Sequence, residues 1–262
     1  MIGFIGGGNM AEALIKGMTS RGRRDILVSE PREERRRFLE QTYGVRTTPS
    51  NREAAAQCSL VILAVKPQNM GAVLDGIADA VTEDKTVVSI AAGIPLSFLQ
   101  ERLRTRKLVR VMPNTPAIVQ EGMSVLSLCE CLPEGEIAAV REIFMSVGRV
   151  LTLPEKYMNA VTALSGSGPA FVALFTEAMR DAGARLGLAE EHAGELAVQT
   201  LLGTARLLET GMSPEKLREM VTSPGGTTAA GVKVFEEKGL RDITAEALLA
   251  ALKRAEELGA RK

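Results

Sequence analysis

The first thirteen residues, Met1-Ile-Gly-Phe-Ile-Gly-Gly-Gly-Asn-Met-Ala-Glu-Ala13, constrain the fold more than any other stretch. Residues 2–5 read as a short buried strand, and Gly6, Gly7 and Gly8 follow it. From Asn9 onward Met10, Ala13, Leu14 and Met18 recur near a 3.6-residue period, which predicts a helix. Strand, glycine turn and helix together form the setting of a dinucleotide-binding fingerprint. In such a motif Gly6 makes the tight turn, Gly8 lets the backbone approach a pyrophosphate, and Ala11 lets the helix pack closely on the strand. The N–H groups at the helix start then face the phosphates. The competing reading is a purely structural turn, and the position directly after a strand argues against it.

With 262 residues there is room for one large domain or two modest ones. Lys plus Arg and Asp plus Glu are equal at 32 each, so no global basic field draws in nucleic acid or an anionic membrane. A strand starting near Met1 leaves no room for a signal peptide, and no unbroken apolar run approaches the roughly 20 residues of a membrane span. Three cysteines, an odd number, predict a reduced, cytoplasmic protein. Cys129-Glu-Cys131 hints at metal, but no second pair or histidine cluster completes a site, so none is expected. The single histidine, His192, reads as a surface residue, which leaves Ser-His-Asp chemistry without its base.

The chain continues as alternating strands and helices. Strands are expected at 25–29, 45–47, 60–65, 86–91, 108–112, 122–128 and 148–153, with helices at 32–41, 51–56, 68–80, 95–103 and 134–145. Ser50 or Asn51 caps the third helix. The runs at 60–65 and 86–91 are apolar throughout, as central parallel strands buried on both faces are. This is an α/β pattern, a Rossmann-like doubly wound and mostly parallel sheet. Glu30 lies about 20 residues past the glycine turn, where an acidic residue meets the adenosine ribose. Lys66-Pro67 ends one strand at the edge where such sheets bind ligands, and Lys66 reads equally as a surface charge or a cofactor contact. Ala92-Gly93 is small enough for a nucleotide to lie against.

Past Pro154 no convincing strand remains, and helices are expected at 158–164, 169–186, 189–209, 214–221, 227–237 and 244–258. The expected domains are thus 1–154, binding the dinucleotide, and 155–262, all helical. Ala170-Phe-Val-Ala-Leu-Phe175 with Ala178, Met179 and Ala182 is apolar nearly all round, so it needs burial on all sides. A second subunit is the natural cover. Two loops here stand out, Ser165-Gly-Ser-Gly-Pro169 and Ser223-Pro-Gly-Gly-Thr-Thr228. The second opens a helix whose N–H groups suit a carboxylate; ordinary helix capping explains its composition equally well.

Gly6-Gly-Gly-Asn-Met10, Ala64-Val-Lys-Pro67, Ala91-Ala-Gly93, Pro113-Asn-Thr-Pro116 and Ser165-Gly-Ser-Gly-Pro169 stand in the order found in pyrroline-5-carboxylate reductases. Val221-Thr-Ser-Pro-Gly-Gly-Thr-Thr-Ala-Ala-Gly-Val-Lys-Val-Phe-Glu236 closely resembles that family's signature, and the likeness spans essentially the whole chain. The resemblance implies NAD(P)H-dependent reduction of pyrroline-5-carboxylate to L-proline, by a homodimer or an oligomer of dimers interleaved through the helical domain. It implies that Gly6, Gly7, Gly8, Asn9, Met10 and Ala11 hold the pyrophosphate, and that Ala64, Val65, Lys66, Pro67, Ala91, Ala92 and Asn114 lie along the cofactor. Asn51 matches an adenosine-side contact. Ser223, Gly226, Thr227 and Thr228 match the segment that binds the substrate carboxylate and ring nitrogen, with Thr228 the catalytic candidate. One departure is Met220, where some relatives carry a polar residue.

The residues agree with that chemistry. Reducing a preformed C=N bond needs little acid–base machinery, and none is evident; the protein must mainly hold two reactants in line. A β-hydroxyacid dehydrogenase shares the two-domain plan but wants a general base, for which only Lys216 and Lys233 are at hand, outside that family's motif. A non-enzymatic NAD(P)-binding redox sensor would have no use for the 223–228 loop. Both NADP and NAD, in reduced form, are candidate cofactors. Glu30 tilts the expectation towards NADH serving at least as well. A 2′-phosphate ~4 Å away, at an effective dielectric of ~20, meets a repulsion of roughly 4 kcal/mol per unit charge before screening.

Overall fold

A computed structural model describes residues 1–129 and 132–260. Contacts divide the chain into two compact units, 1–167 with the residues from 251 onward, and 168–250.

The first unit carries one eight-stranded sheet in the order β3-β2-β1-β4-β5-β6-β7-β8. Its strands are β1 (Ile2–Ile5), β2 (Ile26–Ser29), β3 (Arg46–Thr48), β4 (Leu60–Leu63), β5 (Thr86–Ser89), β6 (Leu108–Met112), β7 (Gly122–Leu128) and β8 (Gly148–Thr152). The strands from β3 to β6 are parallel, β7 runs antiparallel to β6, and β8 is parallel to β7. Its helices are α1 (Asn9–Ser20), α2 (Glu33–Tyr43), α3 (Asn51–Gln57), α4 (Met70–Ile77), α5 (Leu96–Gln100), α6 (Glu134–Met145) and the short α7 (Met158–Val161).

Side chains alternate between the sheet's two faces, and each face has its own core. Phe4, Ile62 and Val88 pack with Leu14 of α1, Leu39 of α2 and Phe144 of α6. Ile5, Leu63 and Val87 pack on the other side with Ala54 of α3, Leu74 of α4 and Leu99 of α5. The apolar runs read from sequence are therefore strands covered on both faces, as a doubly wound sheet requires. Each buried Leu, Ile or Phe contributes roughly 1.5–3 kcal/mol, which makes the strands a firm base for the loops at their ends.

Three local expectations need correction. β4 and β5 stop at Leu63 and Ser89, two residues short of their apolar runs. The pairing register explains this: Ile5 lies opposite Leu63, and Leu63 opposite Ser89, so the ladder ends where the glycine turn leads β1 away. Pro67 then opens a 3₁₀ turn, Pro67–Asn69, and α4 begins only at Met70. Finally, the segment 165–169 is not a connecting loop. α7 runs into a π-helical turn, Thr162–Gly166, and α8 (Gly168–Arg185) follows at once. A Cβ on Gly166 would lie 2.5 Å from Met112 Cε, so a larger residue in the wide turn would have to displace the end of that side chain.

The second unit consists of α8, α9 (Glu190–Glu209), α10 (Pro214–Met220), α11 (Thr227–Glu237) and the greater part of α12 (Leu240–Ala260). α12 starts four residues earlier than the sequence pattern predicts. α8 has no buried residue: Phe171, Val172, Leu174 and Phe175 all stand exposed.

Candidate functional site

The carboxyl edge of the parallel strands gathers most of the residues singled out from the sequence. Gly6 N–H donates to Ser29 O and Ala64 N–H to Ile5 O, both at 2.8 Å. Glu30 N–H donates to Thr48 O at 3.0 Å and Ile90 N–H to Leu63 O at 3.2 Å. These bonds seat the loops after β1, β2, β4 and β5 side by side, so 6–11, Glu30, 64–67 and 91–92 share one rim.

Within the glycine turn two positions differ in kind. Gly6 has φ +99°, and a Cβ there would lie 2.7 Å from the Ala64 carbonyl oxygen. Gly8 has ordinary backbone angles, but a Cβ there would meet no atom within 4 Å. Gly8 is the N-cap of α1, and no side chain caps it. The first-turn N–H groups, from Asn9 to Ala11, are left for an incoming acceptor, and the missing Cβ gives it a path to the backbone. A dinucleotide's pyrophosphate fits both features.

Glu30 is buried beside this turn. Its Oε2 accepts from Gly7 N–H at 3.1 Å, and its Oε1 accepts from Arg32 N–H at 3.2 Å and Arg32 Nε at 2.8 Å. Burial opposes the charge, but the Arg32 guanidinium and the two backbone donors outweigh it and hold the carboxyl below its ordinary value. Asn51, the first residue of α3, accepts from Ser29 Oγ at 2.6 Å through Oδ1. Its side-chain N–H₂ is thereby turned away from Ser29. Ser50 is the cap of that helix, accepting from Glu53 N–H at 3.2 Å.

Sequence reasoning missed a second bracing network. Arg35 Nε donates to Gly7 O at 2.7 Å, and its Nη2 pairs with Glu12. Tyr43 OH donates to the other oxygen of Glu12 at 2.7 Å. Burial works against ionisation of Glu12, yet bonds from Tyr43 and Arg35 hold its carboxyl low. Burial and the Glu12 carboxylate push the Tyr43 phenol up to about 12, so Tyr43 remains a donor. Gly7 is thus held at both ends, N–H by Glu30 and C=O by Arg35. A carboxylate in the first turn of a phosphate-facing helix was the available signal, because its charge must be met by something.

Lys66 is exposed in extended backbone, and Ala91 is buried while Ala92 is partly open. Asn114 is engaged inside the unit: its Oδ1 accepts from Met123 N–H at 2.8 Å and its Nδ2 donates to Ser165 Oγ at 3.3 Å. Among the described residues no cluster of three or more His, Cys, Asp or Glu is placed to hold a metal. The Cys129-Glu-Cys131 pair falls partly on 130–131, outside the described residues.

In the second unit, the 223–228 segment behaves differently from a capped helix start. Gly226 is the N-cap of α11, and no side chain donates or accepts there. By contrast Ser50 caps α3 and Ser213 caps α10, each through its hydroxyl. Gly225 has φ +73°, and a Cβ on Gly226 would collide with Ser223 Oγ. Thr176, Thr204 and Thr244 donate to the carbonyl four residues back. Thr227 and Thr228, in the first turn, have no helical carbonyl behind them. Ser223, Thr227 and Thr228 thus stand at the uncapped N-terminus of α11, where first-turn N–H groups and the positive end of the helix suit an anion. Lys233, weighed above as a dehydrogenase base, lies 3.7 Å from Glu237 on the same helix, and Met220 is exposed.

Comparison with known proteins decides the family. A pyrroline-5-carboxylate reductase dimerisation model matches residues 155–258, and an F420-dependent NADP oxidoreductase model matches 1–93. A pyrroline-5-carboxylate reductase of Synechocystis sp. is 44% identical, with 98% of both chains covered. The chain belongs to the pyrroline-5-carboxylate reductase family. It is an NAD(P)H-dependent oxidoreductase of that family. The solved reductase from Coxiella burnetii is 39% identical, superimposes with a TM-score of 0.91 and is covered to 97%, against 98% of this chain. A Plasmodium falciparum pyrroline carboxylate reductase solved with NADP bound is 31% identical, with a TM-score of 0.88 over 98% and 97% of the two chains. The matching dimerisation model makes 155–258 an oligomerising region. A hydroxyacid dehydrogenase and a non-enzymatic sensor are set aside.

Proposed function

We propose that this chain performs the family's reaction, reduction of 1-pyrroline-5-carboxylate to L-proline, with residues 1–154 as its cofactor domain and 155–262 as its dimerisation and substrate domain. The observation that carries the site assignment is the N-terminus of α11, open to a carboxylate because no side chain caps it. Gly226, Thr227 and the backbone behind them hold the substrate carboxylate, with Ser223 beside it. Thr228 hydrogen-bonds the ring nitrogen and keeps it protonated, and Thr228 with water relays the proton. When bound at the carboxyl edge, the reduced nicotinamide supplies the hydride. The N–H groups of Gly8, Asn9, Met10 and Ala11 hold the pyrophosphate, with Gly6 and Gly7 shaping the turn. Glu30 and Asn51 meet the adenosine side, and Ala64, Val65, Lys66, Pro67, Ala91 and Ala92 line the cofactor's path, with Asn114 bracing the loop beyond.

The overall balance is one imine, one hydride and one proton giving one secondary amine. Protonation makes the imine carbon electrophilic, so a carboxylate clamp and one nitrogen contact suffice, and positioning does most of the work. The enzyme works in the cytoplasm as a homodimer or an oligomer of dimers, the second copy covering the apolar face of α8. Oxidation of NADH or NADPH on adding pyrroline-5-carboxylate, beside a β-hydroxyacid with the oxidised cofactor as control, tests the reading. Turnover of the hydroxyacid alone would refute it.

A further inference from the structure

Gly93 stands in the middle of the loop between β5 and α5, directly after the Ala91-Ala92 pair. Both ends of that loop are held by nearby elements. Ala91 N–H donates to Ser89 Oγ at 3.4 Å. Leu96 N–H, at the start of α5, donates to Glu155 Oε1 at 2.7 Å, and Arg110 Nη1 of β6 donates to the same oxygen at 3.2 Å. The middle of the loop is met by the far end of the chain.

From Ala251 onward α12 belongs to the first unit. Ala251, Ala255 and Gly259 recur every fourth residue and share one face of the helix, with Leu258 beside them; Ala255 is buried. The last turn of that face lies on Gly93. A Cβ on Gly93 would be 3.3 Å from Gly259 N and from Leu258 Cβ, and a Cβ on Gly259 would be 3.2 Å from Gly93 O. The two glycines are there for different reasons. Gly93 has φ +70°, which by itself favours glycine. Gly259 lies inside α12 with no left-handed φ, where alanine is intrinsically the better residue. The Gly93 carbonyl in front of it accounts for the missing side chain.

We propose that the last turn of α12 is a positioning element for the cofactor: Leu258 and Gly259 fix the Gly93 carbonyl and, through it, the backbone of Ala91 and Ala92. This rests on the cofactor reading of those two alanines given above. In the sheet β4 and β5 lie on the opposite side of β1 from β2 and β3. With the adenosine at Glu30 and Asn51, the loop after β5 therefore serves the nicotinamide half. A push on Gly93 has little room to pass forward, because Ile94 is fully buried and Leu96 is pinned to Glu155. It passes back to Ala92, which is partly open.

The test compares wild type, Gly259→Ala, Gly259→Leu and Ala92→Leu. It reads kcat, NADH and NADPH affinity, the emission of the bound reduced nicotinamide without substrate, thermal midpoint and sedimentation. A merely structural contact would move the midpoint and leave kcat and emission alone. The positioning role predicts that kcat falls with side-chain size, severalfold for Gly259→Ala and on the order of ten- to a hundredfold for Gly259→Leu. Affinity should change far less, since the pyrophosphate and adenosine contacts lie on other loops, while the emission at saturation should change. A folded, dimeric Gly259→Leu with wild-type kcat or wild-type emission overturns the proposal, and so does one whose kcat and affinity fall together. Should Gly259→Leu not fold or not dimerise, Gly259→Ala decides, and wild-type kcat there is equally fatal. Ala92→Leu, which fills the path itself, should weaken both cofactors by on the order of tenfold. If it does not, the cofactor reading of this loop falls and the proposal with it. If it does while both Gly259 variants match wild type, the proposal alone falls.

Discussion

Thr228 sits one residue into α11, past an N-cap that has no side chain to offer. A hydrogen bond to a charged group is worth roughly 1.5–3 kcal/mol, so Thr228→Ala should lower kcat/KM by on the order of ten- to a hundredfold without lowering the thermal midpoint. Thr227→Ala should cost less, because a backbone N–H survives the substitution. Near-wild-type rates for both variants would return the pair to a plain helix start. Single residues were legible in the sequence when their role depended on spacing. Glu30 was visible by its distance from the glycine turn, and the 223–228 segment by its composition. What spacing does not encode is which atom of Glu30 faces which donor. That depends on the turn of α2 that brings Arg35 to Gly7 and leaves Arg32 at the surface. The Ser29–Asn51 bond was hidden for the same reason, since 22 residues separate the partners.

At the scale of elements, the glycine turn makes a sharp prediction, because two of its glycines are there for different reasons. Gly6→Ala forces an L side chain into φ +99° and against the Ala64 carbonyl. Left-handed strain and overpacking together should destabilise the fold by roughly 2–5 kcal/mol. Gly8→Ala meets nothing in the protein, so its thermal midpoint should stay close to wild type while KM for the cofactor rises. Equal loss of stability in the two variants, or an unchanged cofactor KM for Gly8→Ala, would contradict this. Strands and helices were largely readable from apolar runs and period. Their ends were not: β4 and β5 stop where a neighbouring strand departs, and no window on β4 or β5 alone contains that. The π-helical turn at 162–166 escaped for a related reason, as Gly and Ser there read as a loop until Met112 is placed against Gly166.

At the scale of the whole molecule, the apolar surface of the helical unit is the dominant feature. The helical segment Glu155–Arg185 has mean hydropathy 1.2 over its best window, with 17% of that window buried, so by length and composition it is apolar enough to cross a membrane. The sequence itself holds no unbroken apolar run of roughly 20 residues there. The pyrroline-5-carboxylate reductase dimerisation model matches 155–258, the region that carries this surface. The protein should therefore sediment as a dimer or larger in the absence of detergent, and its activity should fall on dilution below the dimer's dissociation constant. Leu174→Glu, at a residue 65% exposed, should favour the monomer and remove activity while leaving cofactor binding measurable. A fully active monomer would defeat this part of the account. The central claim, that a hydride passes from the cofactor to a cyclic imine, is tested most directly by isotope. With pyrroline-5-carboxylate and nicotinamide cofactor deuterated at the transferred position of C4, the account predicts L-proline carrying a single deuterium on its δ carbon. Cofactor oxidation without labelled proline, or no oxidation beside an active hydroxyacid control, would contradict it.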